Sequence, residues 1–432
     1  MKKFNTSPIS GMQELLPNLQ AEFNHLKTGI AEAFYRHGFQ NIETPTIERT
    51  EVLLAKAGGD TEKQIYKVVK TAETASDADQ ALRFDHTVPL ARYVVEHMND
   101  LTFPFKVTQI GRNFRGERAQ KGRFREFYQC DVDVIGWQKL PIAYDAEVIA
   151  TLIDALQILP LDKYQVRVSN RKLLAGLLEE LDLSTQSTEI FDIVDHAEKV
   201  PEEATIQALA QLQISPDTVV KITTFTKING PCKEAIAKLK ALNFTNATFN
   251  DGVRELEQVL SALEHKNNGK VAIIADMLIV RGLDYYTGTV FETIAPSYRE
   301  IGSVCSGGRY ENLAQNYTDQ PLPGVGGSIG LTRLFYVLRE HNLIQARLSK
   351  PIDICLIPIT ENEFPTAEEL AAKLRKHNYN IDIFLADKKL SDKIKYADKT
   401  AQNIIIVGES EVQSGNFQIK NLATGEQKAL TL

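Results

Sequence analysis

Apolar and polar residues alternate along the chain in patterns that predict both helices and strands. The first helix is indicated by apolar residues spaced three and four apart: Leu19, Phe23, Leu26, Ile30, Ala33 and Phe34. Gly38 is expected to end this helix. A strand is predicted from Asn41 to Ile47, and Pro45 should confine it to a sheet edge or an interface because proline lacks a backbone donor. A helix followed by such a strand is typical of a dimer contact, although a plain sheet edge would give the same pattern.

The most informative stretch runs from Phe105 to Gly136 and predicts a long β-hairpin with a loop from Gly116 to Gly122. Side chains alternate across a strand. One face of the second strand is therefore predicted to carry Arg123, Arg125, Phe127 and Gln129, with Arg115 on the opposing strand. Such a face offers guanidinium groups for phosphate and a ring on which a base could stack. An arginine-rich hairpin exposed to solvent would have the same sequence.

A shorter strand is predicted from Ala81 to Asp85, and it leads into a helix that Thr87 should cap. Asp85 therefore lies where a strand meets a helix, which is a frequent position for a ligand contact. Local capping of the helix would explain the same carboxylate. We expect His86 to be a partly exposed turn residue.

The middle of the chain, residues 172–266, is predominantly helical in pattern and predicts a module inserted between strands. A helix from Tyr144 to Leu156 precedes it, and a buried strand from Val271 to Val280 follows it. A polar linker is predicted at 344–350, and 351–432 should form a small α/β domain with a parallel or mixed sheet. The elements predicted there are Asp353–Ile357, Pro365–Lys376, Asn380–Leu385, Lys389–Asp398 and Asn403–Val407.

Three polar or glycine-rich segments follow the helical module and are atypical of a hydrophobic core. In the first, two tyrosines stand beside an arginine and an aspartate, in RGLDYYTGTVFE at 281–292. In the second, paired glycines precede Arg309 and Tyr310, which would let the backbone approach a ligand closely. In the third, a glycine-rich strand feeds a helix with Arg333 in its first turn. Cations favour the opposite end of a helix dipole, so an anionic ligand better explains this arginine.

Composition limits the class of protein. A chain of 432 residues should hold two or three domains, and its net charge of −7 argues against nonspecific coating of nucleic acid. The four cysteines are widely separated, which favours neither a disulfide framework nor a structural zinc site. We find no apolar signal segment and no apolar run of membrane length, so we expect a soluble cytoplasmic protein.

Separated cations, an aromatic residue and several acids together suggest a site for a nucleoside triphosphate held on a sheet. The residues concerned are Arg115, Arg123, Arg281, Arg333, Phe127, Asp85, Glu117 and Asp133. The sequence contains neither GxxxxGK[ST] nor a protein-kinase loop, so this site would not be a P-loop.

On these residues the chain resembles the class II aminoacyl-tRNA synthetases and, within them, the histidyl-tRNA synthetase family. The resemblance covers nearly the whole chain and rests on SGMQELLP at 10–17, LRFDHTVPLARY at 82–93, FRGERAQKGRFREFYQCDVDVIG at 114–136, RGLDYYTGTVFE at 281–292, SGGRYENL at 306–313 and GSIGLTRL at 327–334. It implies an α+β fold in which helices flank an antiparallel sheet. The catalytic domain would span 1–343, with the helical insertion at about 172–266, and 351–432 would bind the anticodon.

The resemblance also implies a reaction and its residues. Histidine and ATP would give histidyl-adenylate and pyrophosphate, and the histidyl group would then pass to the 3′ end of its tRNA. Arg281 and Arg115 would act on the α-phosphate in catalysis. The implied ATP contacts are Arg115, Glu117, Arg123, Phe127 and Arg333, and the implied histidine contacts are Asp85, Thr87, Gln129, Asp133, Arg281, Tyr285 and Tyr286. Gln120 would lie near the tRNA acceptor end.

The resemblance further implies that the chain works as a homodimer and that Mg²⁺ arrives on ATP, without a metal site of its own. The sequence departs from the family where Thr332 replaces a usual glutamate, Ala119 a frequent proline, and Asp85-His86 a common Glu-Gly. Rival interpretations are a catalytically silent, histidine-binding regulatory paralogue from histidine biosynthesis, a synthetase for another amino acid, and a tRNA-binding histidine sensor. The tail and the complete arginine set weigh against the first rival, and the paired tyrosines weigh against the second.

Overall fold

The computed structural model describes residues 3–55, 62–72, 78–280, 285–344 and 350–430. Arg281 and the three residues after it lie outside the described residues, as do 345–349 of the predicted linker. The chain divides into two compact units, one comprising Met1–Glu14 with Phe23–Gln345 and the other Leu15–Glu22 with Ala346–Leu432.

The larger unit is built on a sheet of nine strands among the described residues, in the order β1-β5-β6-β12-β11-β10-β7-β9-β8. Five consecutive pairings, from β5 across to β7, are antiparallel, whereas the β1–β5 and β7–β9 pairings are parallel. The predicted antiparallel sheet is therefore confirmed. The nine strands are β1 Gln40–Asn41, β5 Phe105–Phe114, β6 Glu126–Ile135, β7 Tyr164–Asn170, β8 Asn229–Gly230, β9 Val271–Asp276, β10 Tyr286–Ile294, β11 Ser303–Tyr310 and β12 Gly324–Ile329.

A second, three-stranded sheet in this unit holds β2 Ile47–Arg49, β4 Gln80–Leu82 and β3 Lys67–Val68 in that order. The prediction of one strand from Asn41 to Ile47 is wrong, because β1 and β2 lie on either side of Pro45 and belong to different sheets. Proline cannot donate to a ladder, so the chain leaves one sheet before it and enters the other after it. β1 does lie at the edge of the large sheet, as the proline predicted.

Helices of the larger unit form where apolar residues recur at helical spacing. The first, α1 Pro17–Arg36, belongs to this unit from Phe23 onward and ends two residues before the predicted stop Gly38, whose φ is +80°. Two shorter helices, α2 Thr50–Leu54 and α3 Thr87–Glu96, flank the small sheet, and α4 Ala143–Leu156 packs against β12 and β6. After β12, α11 Leu331–Glu340 also packs against β6.

The predicted helical module is confirmed between β7 and β9, which are parallel neighbours in the sheet. The strand predicted to run to Val280 ends earlier, at Asp276, whose carboxylate accepts a hydrogen bond from the backbone of Leu278 (3.0 Å) and turns the chain. The module's helices are α5 Arg171–Glu180, α6 Ser187–His196, α7 Glu202–Gln211, α8 Pro216–Thr226, α9 Cys232–Ala241 and α10 Ala247–Leu263. Short 3₁₀ turns at Ser184–Gln186, Ala197–Lys199, Glu264–Lys266 and Pro296–Ile301 complete this unit.

The smaller unit has a mixed sheet, as predicted. Its order is β14-β13-β15-β16-β17, parallel on both sides of β13 and antiparallel beyond β15. The terminal helix and hairpin were not predicted. The elements are β13 Ile352–Pro358, a 3₁₀ turn Glu361–Glu363, α12 Phe364–Lys376, β14 Ile381–Ile383, α13 Leu390–Thr400, β15 Ala401–Val407, α14 Glu409–Ser414, β16 Gln418–Asn421 and β17 Gln427–Ala429.

A buried ion pair ties the large sheet to its helix layer. Arg309 on β11 donates to Asp145 in the first turn of α4, with Nη2 2.7 Å from Oδ1. Only 6% of the arginine side chain and none of the aspartate side chain is exposed. The sequence had suggested that the residues around Arg309 approach a ligand, but the guanidinium is committed to the fold.

We predict that Arg309→Met destabilises the larger unit by about 3–5 kcal/mol, because it leaves Asp145 charged and buried without its partner. Lys240→Met is the matched control, since Lys240 pairs with Glu257 on an exposed face and should change stability by less than about 1 kcal/mol. Urea unfolding followed by fluorescence measures both. Equal stabilities for the two variants would contradict the role of the buried pair.

Candidate active site

A cavity of about 720 Å³ opens over the middle of the large sheet, and a smaller cavity of about 150 Å³ adjoins it. Residues of β6, β12, β11 and β10 line the larger one. The predicted site residues that line it are Asp85, Thr87, Arg115, Gln120, Arg123, Gln129, Asp133, Tyr285, Tyr286 and Arg333. Glu117 and Phe127 line the smaller cavity, together with Arg115, Arg123, Gln129 and Arg333. Every predicted site residue except Arg281, which lies outside the described residues, therefore lines at least one of these two adjoining cavities.

One end of the larger cavity is acidic. Asp133 is buried on β6, and its Oδ1 accepts a hydrogen bond from the hydroxyl of Tyr310 at 2.9 Å. Burial, and then the neighbouring charge of Asp131, raises the pKa of Asp133 well above its ordinary value. Gly326 faces this carboxylate on β12, where any side chain would collide with it. A buried carboxyl beside a phenol can pair with a nitrogen heterocycle that both donates and accepts.

Asp85 lines the same cavity, and only one of its two carboxylate oxygens accepts a hydrogen bond among the described residues. Its Oδ1 accepts a hydrogen bond from the backbone of Val88 at 3.0 Å, whereas its buried Oδ2 has no hydrogen-bond partner among the described residues. Burial raises the pKa of Asp85 to about 6. The prediction that Thr87 caps α3 is wrong, because Thr87 is the first helical residue and Asp85 supplies the carboxylate. Both interpretations of Asp85 apply, since one oxygen caps the helix and the residue also lines the larger cavity.

Two adjacent tyrosines complete this end. The rings of Tyr285 and Tyr286 meet edge to face, with centroids 4.9 Å apart. Burial, followed by neighbouring acidic groups, raises the pKa of both phenols. Both therefore stay neutral and can donate hydrogen bonds at physiological pH.

The opposite end is basic. Arg115, Arg123 and Arg333 line both cavities, and the Arg115 guanidinium lies 5.1 Å from the centre of the Phe127 ring. Glu117, 3.4 Å from Arg123, is the acid that lines the smaller cavity with them. Burial, and then the charge of Arg123, lowers the pKa of Arg333. Three cations around one carboxylate leave an excess of positive charge that suits a polyanion.

Backbone carbonyls hold Arg333 in place. Its Nε donates to Gly122 in the hairpin loop and its Nη1 donates to Ser303, each at 3.1 Å. Thr332, the departure from the family pattern, accepts a hydrogen bond from the backbone of Tyr128 at 2.7 Å. The first turn of α11 is therefore anchored to β6 through a hydroxyl.

The structure of the hairpin contradicts the prediction that Arg123 and Arg125 share one strand face with Phe127 and Gln129. Arg123 and Arg125 precede β6 and do not continue its alternation. Arg125 lines neither cavity and instead donates to the backbone of Glu117 at 3.0 Å and of Ser10 at 3.5 Å. Only Arg123, Phe127 and Gln129 of the predicted row reach the site.

Sequence reasoning missed three residues at the acidic end. Asp131 and Tyr310 are buried and line the larger cavity, as does half-buried Ser328. The signal for Asp131 was present, because period two places residue 131 on the same face as Gln129 and Asp133. The prediction for His86 is wrong: the side chain is 1% exposed, and its Nδ1 lies 2.9 Å from Asp131 Oδ2.

Among the residues that the structure describes, no group of three or more histidine, cysteine or acidic side chains is arranged to hold a metal ion. No helix there combines the length and apolarity needed to cross a membrane.

Comparisons with known proteins give one consistent family. Residues 11–334 match the family model described as histidyl-tRNA synthetase, and residues 353–432 match an anticodon binding domain. The histidine–tRNA ligase of Clostridium tetani is 43% identical, covering 100% of this chain and 98% of that relative. That of Finegoldia magna is 40% identical, covering 99% and 97%.

Solved structures agree. The histidyl-tRNA synthetase of a Nostoc species superposes with a TM-score of 0.84 at 35% identity, covering 99% of this chain and 97% of that one. A protein from Bacillus halodurans described as an ATP phosphoribosyltransferase regulatory subunit/histidyl-tRNA synthetase has a TM-score of 0.78 at 22% identity. At that identity the likeness is evidence for the fold alone.

We predict that Asp85→Asn stabilises the protein at pH 8 by about 1–3 kcal/mol while it weakens ligand binding. The pKa of Asp85 is raised from 3.8 to about 6. Each pKa unit corresponds to about 1.4 kcal/mol of lost folding stability at pH values where the carboxylate is charged. The folded state takes up this proton at a higher pH than the unfolded state, so the penalty falls as pH drops from about 7 toward 4. The gain from asparagine should shrink over the same range.

Urea unfolding of both proteins at pH 8 and pH 5.5 measures this difference. An Asp85→Asn variant that is no more stable than the parent at pH 8 would show that the carboxylate is not desolvated.

Proposed function

The chain belongs to the histidyl-tRNA synthetase family, and we propose that it is the ATP-dependent ligase that joins histidine to its tRNA. The observation that carries this proposal is the opposed polarity of one site. Buried acids and neutral phenols line the larger cavity, and three arginines with one acid line the smaller cavity that adjoins it. A substrate with a cationic amino group and an imidazole suits the first end, and a triphosphate suits the second.

Histidine binds at the acidic end. Its imidazole pairs with Asp133 and Tyr286, which offer an acceptor and a donor to the two ring nitrogens. Its ammonium binds Asp85, whose Oδ2 has no hydrogen-bond partner among the described residues, with Thr87 and Gln129 beside it. Tyr285 lines the same cavity, with its ring packed against that of Tyr286. A site that pairs each polar group of the substrate rejects analogues that lack one, because a buried partner would be left unsatisfied.

ATP binds at the basic end, with adenine stacked on Phe127 near Glu117 and the β- and γ-phosphates held by Arg123 and Arg333. The histidine carboxylate then attacks the α-phosphorus, the bond to the bridging oxygen breaks, and pyrophosphate leaves with that electron pair. Arg115, and by family resemblance Arg281, stabilise the charge that builds on the α-phosphate. Positioning and fixed positive charge supply most of the catalysis in such a step.

The second step transfers histidine to tRNA. A hydroxyl of the terminal ribose attacks the activated carbonyl, and AMP leaves. Gln120, in the hairpin loop at the cavity, would lie near this end of the tRNA. The match of residues 353–432 to an anticodon binding domain supports contact with the same tRNA at the other end. We propose that the catalytic domain spans 1–343 and that 344–350 link it to this domain.

Mg²⁺ would enter with ATP as part of the substrate and screen its phosphates. We also propose that the chain works as a homodimer in the cytoplasm. The position of β1 at the edge of the large sheet supports a dimer contact there, as the family resemblance implies.

The alternative of a silent regulatory paralogue is not favoured. Relatives that span the whole chain at about 40% identity are named histidine–tRNA ligases. The likeness to the Bacillus halodurans protein, at 22% identity, concerns the fold.

The proposed function is tested by ATP–pyrophosphate exchange with each of the twenty amino acids in turn. We predict exchange with histidine alone, and an ATP KM that rises about 10–100-fold in Arg333→Gln, as expected for lost hydrogen bonds between a cation and phosphate. Arg339→Gln is the matched control, because Arg339 is an exposed residue in the last turn of the same helix.

Exchange with another amino acid would overturn the assignment of Asp133 and Tyr286 to imidazole. Histidine binding without any exchange would favour the regulatory alternative. An ATP KM that rises equally in both arginine variants would contradict the phosphate role of Arg333.

A further inference from the structure

A line of hydrogen-bonded polar side chains lies beside the larger cavity, and apart from Gln129 its members have no role described so far. It connects, in order, His86, Asp131, Ser328, Gln129 and Asn113. We propose that Asp131 is a positioning residue that acts through Ser328 to fix the orientation of the Gln129 amide, and so makes the site select a substrate with an amino group. This inference rests on the proposed function, because it concerns how that site holds the ammonium of histidine.

Asp131 is the anchor of the line. It is 4% exposed, and both of its oxygens are engaged: Oδ2 lies 2.9 Å from His86 Nδ1 and Oδ1 lies 2.5 Å from the Ser328 hydroxyl. Ser328 is the residue directly opposite Asp131 on the neighbouring strand, so the sheet register holds this contact. A carboxylate only accepts hydrogen bonds. His86 and Ser328 must therefore both donate to it.

The direction of every later hydrogen bond follows from this anchor. A hydroxyl has one proton. Because Ser328 gives that proton to Asp131, it can only accept from Gln129, 2.7 Å away. The amide nitrogen of Gln129 must therefore face Ser328, and its oxygen faces Asn113 Nδ2, also at 2.7 Å. The carboxylate of Asp131 thus determines the orientation of the Gln129 amide, which is two residues along the line.

Gln129 and Asp85 both line the larger cavity, in which the ammonium is proposed to bind. The hydrogen bonds to Ser328 and Asn113 use one N–H and one lone pair of Gln129, which leaves the oxygen a second lone pair. An ammonium only donates. The fixed amide therefore presents an acceptor to the ammonium, whereas a reversed amide would present N–H groups and repel it.

Ser328→Ala tests the inference most directly, because it interrupts the line without changing any charge. Asp131→Asn is the second variant, since an amide in place of the carboxylate no longer dictates direction. Ser169→Ala is the matched control. Ser169 is a buried serine on β7 of the same sheet, lines neither cavity, and has its hydroxyl 4.0 Å from the sulfur of Met277.

The measurement is ATP–pyrophosphate exchange, with KM determined for histidine and for ATP. Inhibition constants are determined for histidinol, which keeps the amino group, and for 3-(imidazol-4-yl)propanoate, which lacks it. We expect Ser328→Ala and Asp131→Asn to raise the histidine KM and the histidinol inhibition constant about tenfold or more, as for a lost hydrogen bond to a charged group. The ATP KM and the propanoate inhibition constant should stay within about twofold of the parent in both variants, and the control should match the parent throughout.

Two results would overturn the inference, and a third would refute the proposed function on which it rests. An unchanged histidine KM in Ser328→Ala would show that Ser328 transmits nothing to Gln129, whatever Asp131→Asn does. An equal rise for the propanoate would show general damage to the pocket and no selection of the amino group. Absence of histidine-dependent exchange in the parent protein would instead refute the proposed function. This outcome is distinguishable from failure of the inference because it appears in the unmutated protein.

Discussion

Repulsion among three guanidinium groups is the constraint on which the site depends. Arg115, Arg123 and Arg333 converge on two adjoining cavities, in the smaller of which Glu117 is the acid beside them, and burial of Arg333 increases the cost of that arrangement. At the other end, Asp85, Asp131 and Asp133 are buried near one another, and their mutual repulsion and desolvation contribute to the raised pKa of Asp133. Both ends would be relieved by a ligand that carries a cation to one and phosphates to the other.

The fold withstands this unfavourable charge because rigid elements hold each group. β6 presents Gln129 and Asp133 by its alternation, and backbone carbonyls of Gly122 and Ser303 hold Arg333. The Arg309–Asp145 pair fixes β11 to α4 outside the site. These contacts stabilise the sheet and its helix layer. The cavity, by contrast, retains charged groups that would be replaced if the sequence were optimised for stability alone. Preorganised charge of this kind needs no rearrangement during the reaction.

Much of this could be predicted from local patterns. Alternation predicted the hairpin and the face that carries Phe127 and Gln129, and helical spacing predicted the inserted module. Contacts between residues far apart in sequence could not be predicted. Asp131 meets Ser328 across 197 positions, and His86 meets Asp131 across 45. A histidine beside a turn carries no sign of a buried partner, and no local pattern shows that Arg309 pairs with Asp145, 164 positions away.

A crystal structure with a non-hydrolysable histidyl-adenylate analogue, in which a sulfamoyl group replaces the phosphate, would test the opposed polarity of the site most directly. We expect the imidazole to lie between Asp133 and Tyr286 and the ammonium at Asp85 and Gln129. The sulfamoyl group should lie within hydrogen-bond distance of Arg115, and adenine should stack on Phe127. An analogue bound in the reverse direction, with its base against the tyrosines, or bound outside the two cavities, would contradict the account.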